Sequence, residues 1–168
     1  DLEKWFQTDH RKLRESFRLE HNISPDARLV GAVGELKPLK GQEDFVLAAQ
    51  IVAGRFPESH FVLVGRDNSR DRNFRRKLKR LVKIFGLESR FLWLEWVEET
   101  AEILHSLDVF VSASHSESFG LSILEAMASG AAPIVSTETE GAKELLENDK
   151  TGKPISVGDP FGPPGPNV

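Results

Sequence analysis

The 168-residue sequence contains no cysteine. Disulfide bridges, thiolate zinc sites and a thiol nucleophile are therefore excluded, and the composition suits a reducing compartment such as the cytoplasm. No apolar run approaches the roughly 20 residues that a membrane-spanning helix needs. No cluster of His, Asp or Glu has metal-ligand spacing, so neither a metal nor another cofactor is expected. Internal repeats are absent as well. The chain opens at Asp1, without Met or a signal-like apolar segment, and so reads as a segment of something longer. What remains is ordinary globular composition, 39% hydrophobic and 29% charged, in a length that supports one domain with its own core. A formal net charge of −4 argues against nucleic acid as a partner.

Short apolar runs alternate with helical patterns along the chain. Strands are expected at 29–33, 61–64, 91–94, 109–111 and 133–135, each of the kind buried on both faces. Helices are expected at 44–52, 73–85, 99–107, 121–128 and 142–148, with another near 11–18. Such alternation predicts an α/β fold, a Rossmann-like doubly wound parallel sheet with ligands at the carboxyl ends of its strands. The domain is expected over 1–159. From Pro160 onward the residues are Pro- and Gly-rich, which predicts a flexible tail over 160–168.

The chemistry concentrates between Glu117 and Glu125. Glu117 falls in a loop after one strand, and Glu125 falls about one and a half turns into the next helix, leaning back toward its N-terminus. Both carboxylates are thus expected to face one crevice. Phe119, Gly120 and Leu121 open that helix, where free backbone N–H groups and the helix dipole make a seat for phosphate. Carboxylates beside it accept hydrogen bonds from vicinal hydroxyls. Phosphate together with diols suggests a nucleotide sugar. The plain alternative is that both are solvated surface residues, since two Glu eight positions apart are common.

The run from Ser112 through Glu117, Gly120 and Glu125 to Val135, with Val33-Gly34-Glu35-Leu36-Lys37-Pro38-Leu39-Lys40-Gly41 upstream, resembles the signature of family-4 retaining glycosyltransferases of the GT-B fold. Asp1-Leu2-Glu3-Lys4-Trp5 resembles the segment after that family's interdomain linker. The resemblance covers the chain to about Asp159, and implies a C-terminal donor-binding domain, one half of a GT-B enzyme. It further implies that Glu125 holds the ribose hydroxyls of a nucleoside diphosphate sugar such as a UDP or GDP sugar. Glu117 would lie by the reacting carbon, Gly34 and Lys37 in the loop by the phosphates, and Lys40 against the charge of the diphosphate leaving group. Glu95 and Trp96, after the third strand, would meet the base, with Trp93 more at home in the core. The family's N-terminal acceptor-binding domain would be missing, leaving this chain alone inactive. No metal is implied.

One position departs from the family pattern. Where an Arg normally follows the first glycine, this sequence has Glu35, and a carboxylate there repels diphosphate. Lys37 would have to swing in, Glu35 would have to turn outward, or the donor site is degenerate and the chain a non-catalytic nucleotide-binding or membrane-peripheral module. Phosphorolysis or epimerisation on the same fold is a further reading, disfavoured by the pairing of Glu117 with Glu125. From Arg70 to Lys83 run eight Lys or Arg (Arg70, Arg72, Arg75, Arg76, Lys77, Lys79, Arg80, Lys83) against Asp71, while Phe74, Leu78 and Leu81 share one side. Most of the cations read as a solvated face, or as one drawn to an anionic membrane surface, which would place the protein at the inner face of a membrane. His115 receives no role.

Overall fold

The structure is a computed structural model that describes residues 9–96, 100–116, 120–136, 146 and 151–155. Helix α1 (His10–Glu20) precedes strand β1 (Leu29–Val33). Then come α2 (Gln42–Arg55), β2 (His60–Val64), α3 (Asn73–Ile84), β3 (Phe91–Leu94), α4 (Ala101–Ser106), β4 (Val109–Ser112), α5 (Leu121–Ala128), β5 (Ala132–Ser136) and β6 (Lys153–Ile155). The strands form one sheet in the order β3-β2-β1-β4-β5-β6, every neighbouring pair parallel. This is the doubly wound Rossmann-like order, and its switch point lies between β1 and β4. The expected 142–148 helix, Leu146 apart, and the 160–168 tail lie outside the described residues.

Strand β2 shows why the sheet is covered on both sides. Phe61 and Leu63 enter a core cluster with Phe45, Val46, Ala49, Phe74, Leu78 and Val82 of α2 and α3. Val62 and Val64 point the other way, into a cluster with Phe17 of α1, Leu104 of α4 and Ile123 and Ala126 of α5. All four are buried, as the two-residue period of a strand packed by helices on both faces requires. Burial at about 25 cal/mol per Å2 of apolar surface, repeated over these two layers, is what holds the sheet together.

The amino end of the sheet is tied by charge. Asp108, just before β4, accepts from the Leu29 N–H at 2.7 Å, Arg14 Nη2 at 2.7 Å and Arg18 Nη2 at 2.9 Å. Arg18 is buried, and its Nη1 also donates to the carbonyls of Ser24, Pro25 and Ala27. Burial pushes the Asp108 carboxyl up, but the Leu29 amide and Arg14 outweigh it and hold the group below its ordinary value. Helix α1, capped by the Asp9 side chain on the Lys12 N–H, is thereby fastened to β1 and β4.

At the carboxyl end one cation of the basic helix turns inward from the solvated face. Arg75 of α3 is buried. Its guanidinium donates to the Gly65 carbonyl at 2.7 Å, the Leu94 carbonyl at 3.1 Å and Glu95 Oε1 at 2.7 Å, joining the ends of β2 and β3. Asp67 completes the knot by accepting from the Arg75 N–H at 2.6 Å and the Ser69 N–H at 2.8 Å. The other cations from Arg70 to Lys83 are exposed.

Candidate functional site

The loops at the carboxyl ends of β1, β2, β3 and β4, together with the start of α5, enclose a cleft of about 840 Å3. Its place at the β1/β4 switch point is where doubly wound sheets bind ligands, because adjacent loops there part to opposite sides of the sheet. Gly34, Lys37, Lys40, Trp96, Gly120, Leu121 and Glu125 all line it. Seven of the ten residues singled out in the sequence thus converge on one cavity. Glu117 and Phe119 lie outside the described residues.

Glu95 is the exception. Its carboxylate accepts from Arg75 Nη1 at 2.7 Å and Arg72 Nη1 at 3.3 Å, and it is not among the residues that line the cleft. The residue acts as an anchor for α3, and of the two residues singled out after the third strand Trp96 is the one that lines the cleft. Trp96 is 46% exposed, an indole open to the cavity. Trp93 instead packs on Phe91, with ring centroids 4.8 Å apart, as a core residue should.

The β1–α2 loop is built to a narrow tolerance. Gly34 donates its N–H to Val64 at 3.0 Å, and Leu36 donates to the Arg66 carbonyl at 2.9 Å, extending the β1/β2 pairing past the strand ends. A short 3-10 turn, Pro38–Lys40, then delivers Lys40 to the cleft and ends at Gly41, whose φ is +66°. A Cβ on Gly41 would fall on the carbonyl oxygen of Ala113, beyond β4, so only glycine lets the two loops meet. Two hydrogen bonds cross the same gap: His115 N–H to the Leu39 carbonyl at 2.9 Å, and His115 Nε2 to Asp44 Oδ2 at 2.8 Å. His115, given no role from the sequence, is a strut between the two halves of the crevice.

Gln42 and Asn68 went unnoticed in the sequence. Buried Gln42 donates to the Glu35 carbonyl at 2.8 Å and accepts from the Lys37 N–H at 3.4 Å. Glu35 receives Lys37 Nζ at 2.7 Å and Asn68 Nδ2 at 3.1 Å. The Lys37 ammonium, followed by the Asn68 amide, holds the Glu35 carboxyl below the usual carboxylate range. Glu35 therefore stays in the cleft wall, and Lys37 is engaged by it rather than swung toward the centre. A polar residue directly after Lys40-Gly41, where the helix turns inward, was the available signal for Gln42.

On the far wall, α5 begins at Gly120, φ +72°. The Ile123 and Leu124 amides already donate back to the Gly120 carbonyl. The amides of the helix's first residues precede the first intrahelical acceptor and carry the positive end of its dipole. Leu121 is exposed, and partly buried Glu125 lies one turn further on, where its side chain leans toward the helix start. The cavity thus combines helix amides, a lysine, a carboxylate and an indole. Among the described residues no group of three or more His, Asp or Glu is arranged to hold a metal.

The family model described as "Glycosyl transferases group 1" matches residues 14–160. This chain belongs to the group 1 glycosyl transferases. Within that family it is 31% identical over 145 residues to the lipopolysaccharide core biosynthesis glycosyltransferase LpsE of Rhizobium meliloti (strain 1021), covering 86% of this chain and 40% of that protein. It is also 31% identical to the N-acetyl-alpha-D-glucosaminyl L-malate synthase of Bacillus anthracis, over 96% of this chain and 40% of the relative. The crystal structure of the C-terminal domain of a group 1 glycosyl transferase, LpcC of Francisella tularensis, superposes with a TM-score of 0.75 at 28% identity, covering 89% of this chain and 80% of that one. Anabaena HepE in complex with UDP and glucose shares the fold, with a TM-score of 0.80 at 24% identity over 88% of this chain and 39% of that chain. This glycosyl transferase chain thus spans about two fifths of the length of the curated relatives it matches.

Proposed function

We propose that this chain is the donor-binding half of a retaining, family-4 GT-B glycosyltransferase, one that moves a hexose from a nucleoside diphosphate sugar to a hydroxyl acceptor. The observation that carries the reading is the convergence of Lys40, the start of α5 at Gly120 and Leu121, Glu125 and Trp96 on one cleft at the switch point. Helix amides and Lys40 hold the diphosphate and stabilise its charge as the glycosidic bond breaks. Glu125 accepts from the ribose hydroxyls, Trp96 meets the base, and Glu117 contacts the donor sugar. With lysine and helix amides supplying the positive charge, the reading requires no metal ion. A relative crystallised with UDP and glucose and relatives named as lipopolysaccharide core glycosyltransferases support it. The acceptor belongs to a second domain that closes over the cleft, so this chain alone binds donor without transferring sugar.

A second surface fits the same setting. On α3, Arg76, Lys79, Arg80 and Lys83 follow the i, i+3, i+4, i+7 spacing of one helical stripe and pair with no carboxylate among the described residues, whereas Lys77 pairs with Glu43 and Arg72 with Glu95. That stripe is positioned to meet anionic headgroups at the cytoplasmic face of a membrane.

Calorimetric titration of the chain with UDP, GDP and ADP, beside Glu125→Ala, tests the donor reading. Saturable binding of one nucleotide, weakened at least tenfold in the variant, is expected. Absence of binding to all three would leave the degenerate-site reading standing in its place.

A further inference from the structure

The strand order lays four loop positions side by side along the cleft: Trp96 past β3, Arg66 past β2, Glu35 past β1, and Gly120 at the helix that follows β4. Neighbouring strands are about 4.8 Å apart. A ligand with its phosphates at Gly120 and its base at Trp96 therefore crosses the ends of β1 and β2, and passes Glu35 and Arg66 on the way.

The two residues are in opposite states. Glu35 is committed: its carboxylate takes Lys37 Nζ and Asn68 Nδ2, and its carbonyl takes Gln42. Glu35 and Lys37 thereby cancel each other's charge, which disposes of two of the residues nearest the path. Arg66 is exposed and lines the cleft, and its guanidinium has no hydrogen-bond or ion-pair partner among the described residues. Its backbone is fixed all the same, because the Arg66 carbonyl accepts from Leu36 at 2.9 Å and the preceding Gly65 lies so close to Gly34 that a Cβ would strike the Gly34 carbonyl oxygen. The guanidinium is thus rooted at a fixed point one strand from β1, in the wall of the same cleft as residue 35.

We propose that Arg66 binds the phosphate nearer the ribose of the donor nucleotide, supplying from β2 the guanidinium that the family pattern puts at position 35. This rests on the donor-site reading above and deepens it. Arginine suits the task because its planar fork stays charged and meets two phosphate oxygens at once. Lys40 and the α5 amides then serve the distal phosphate, and the Glu35–Lys37–Asn68 group keeps the loop in shape without adding net charge to the path.

The test is titration of wild type, Arg66→Gln and Arg66→Lys with the nucleoside diphosphate that binds, its monophosphate and its nucleoside (UDP, UMP and uridine for a uridine site). Loss of a charge-assisted hydrogen bond predicts that Arg66→Gln weakens diphosphate and monophosphate about tenfold to hundredfold. The nucleoside should stay within twofold, and Arg66→Lys should recover part of the loss. The double variant Arg66→Gln/Glu35→Arg, which returns the guanidinium to position 35, should bind more tightly than Arg66→Gln. Wild-type binding that Arg66→Gln leaves unchanged, or an equal loss for the nucleoside, overturns the assignment while the donor reading survives. Failure of wild type to bind any nucleotide overturns both. Thermal melting of each variant identifies losses caused by unfolding.

Discussion

Arg75 and Arg76 are neighbours on one basic helix, yet their removal should have very different costs. Arg75 is buried and donates to the Gly65 and Leu94 carbonyls and to Glu95, whereas Arg76 is exposed and, among the described residues, hydrogen-bonds only to Asn73 Oδ1, at 2.6 Å. In Arg75→Ala two strand-end carbonyls lose their donor, at about 1–3 kcal/mol each if no water replaces it. Glu95, half exposed, regains water and adds less than about 1 kcal/mol. The sum is about 2–7 kcal/mol, against less than about 0.5 kcal/mol for Arg76→Ala. In a domain of this size that corresponds to a melting temperature lowered by roughly 10 °C for the first variant and nearly unchanged for the second. Urea denaturation followed by tryptophan fluorescence reports the difference directly. Equal stability of the two variants, within 1 kcal/mol, would refute the claim that Arg75 joins β2 to β3.

At the other end of the sheet, the Asp108 carboxyl is held below its ordinary value. Its contribution is therefore full above the unfolded carboxylate range near pH 4 and is lost as pH falls through the folded value. Asp108→Asn should flatten the acid limb of the stability profile and cost about 3 kcal/mol at pH 7, because buried Arg18 loses its counter-charge; an unchanged acid limb in pH-dependent urea melts would contradict this. Gly41→Ala should destabilise by more than about 1 kcal/mol, from left-handed backbone strain plus the contact with Ala113, and should also weaken nucleotide binding, which calorimetry would show. Replacing Arg76, Lys79, Arg80 and Lys83 together by Gln should abolish sedimentation with phosphatidylglycerol vesicles, at about 1 kcal/mol per cation, without moving the melting temperature; equal sedimentation of wild type with phosphatidylcholine vesicles would exclude an electrostatic membrane face.

Strands buried on both faces were the most legible elements. The expected 29–33 and 91–94 coincide with β1 and β3, β2 and β4 are longer by one residue, and β5 by one at each end. Strand β6 went unseen because Lys-Pro-Ile offers no apolar run and pairs only at the sheet edge. Most of the cleft was readable because it is built from loop positions next to strand ends, where the residues Gly34, Lys40, Gly120 and Glu125 recur in a recognisable order. Illegible were the residues whose role depends on what lies opposite. Nothing local distinguishes Arg75 from Arg76, or marks Glu95 as a partner for the first. Glu35 read as a repulsive charge because its partners, Lys37 and Asn68, are set by how two loops fold toward each other.

The charge knot at Asp108 lies at the amino end of the sheet, and the cleft lies at the carboxyl end. None of the residues in the Asp108 knot lines the cleft. The loops that line the cleft can therefore vary in sequence with the fastening of β1 to β4 and α1 kept a sheet's length away.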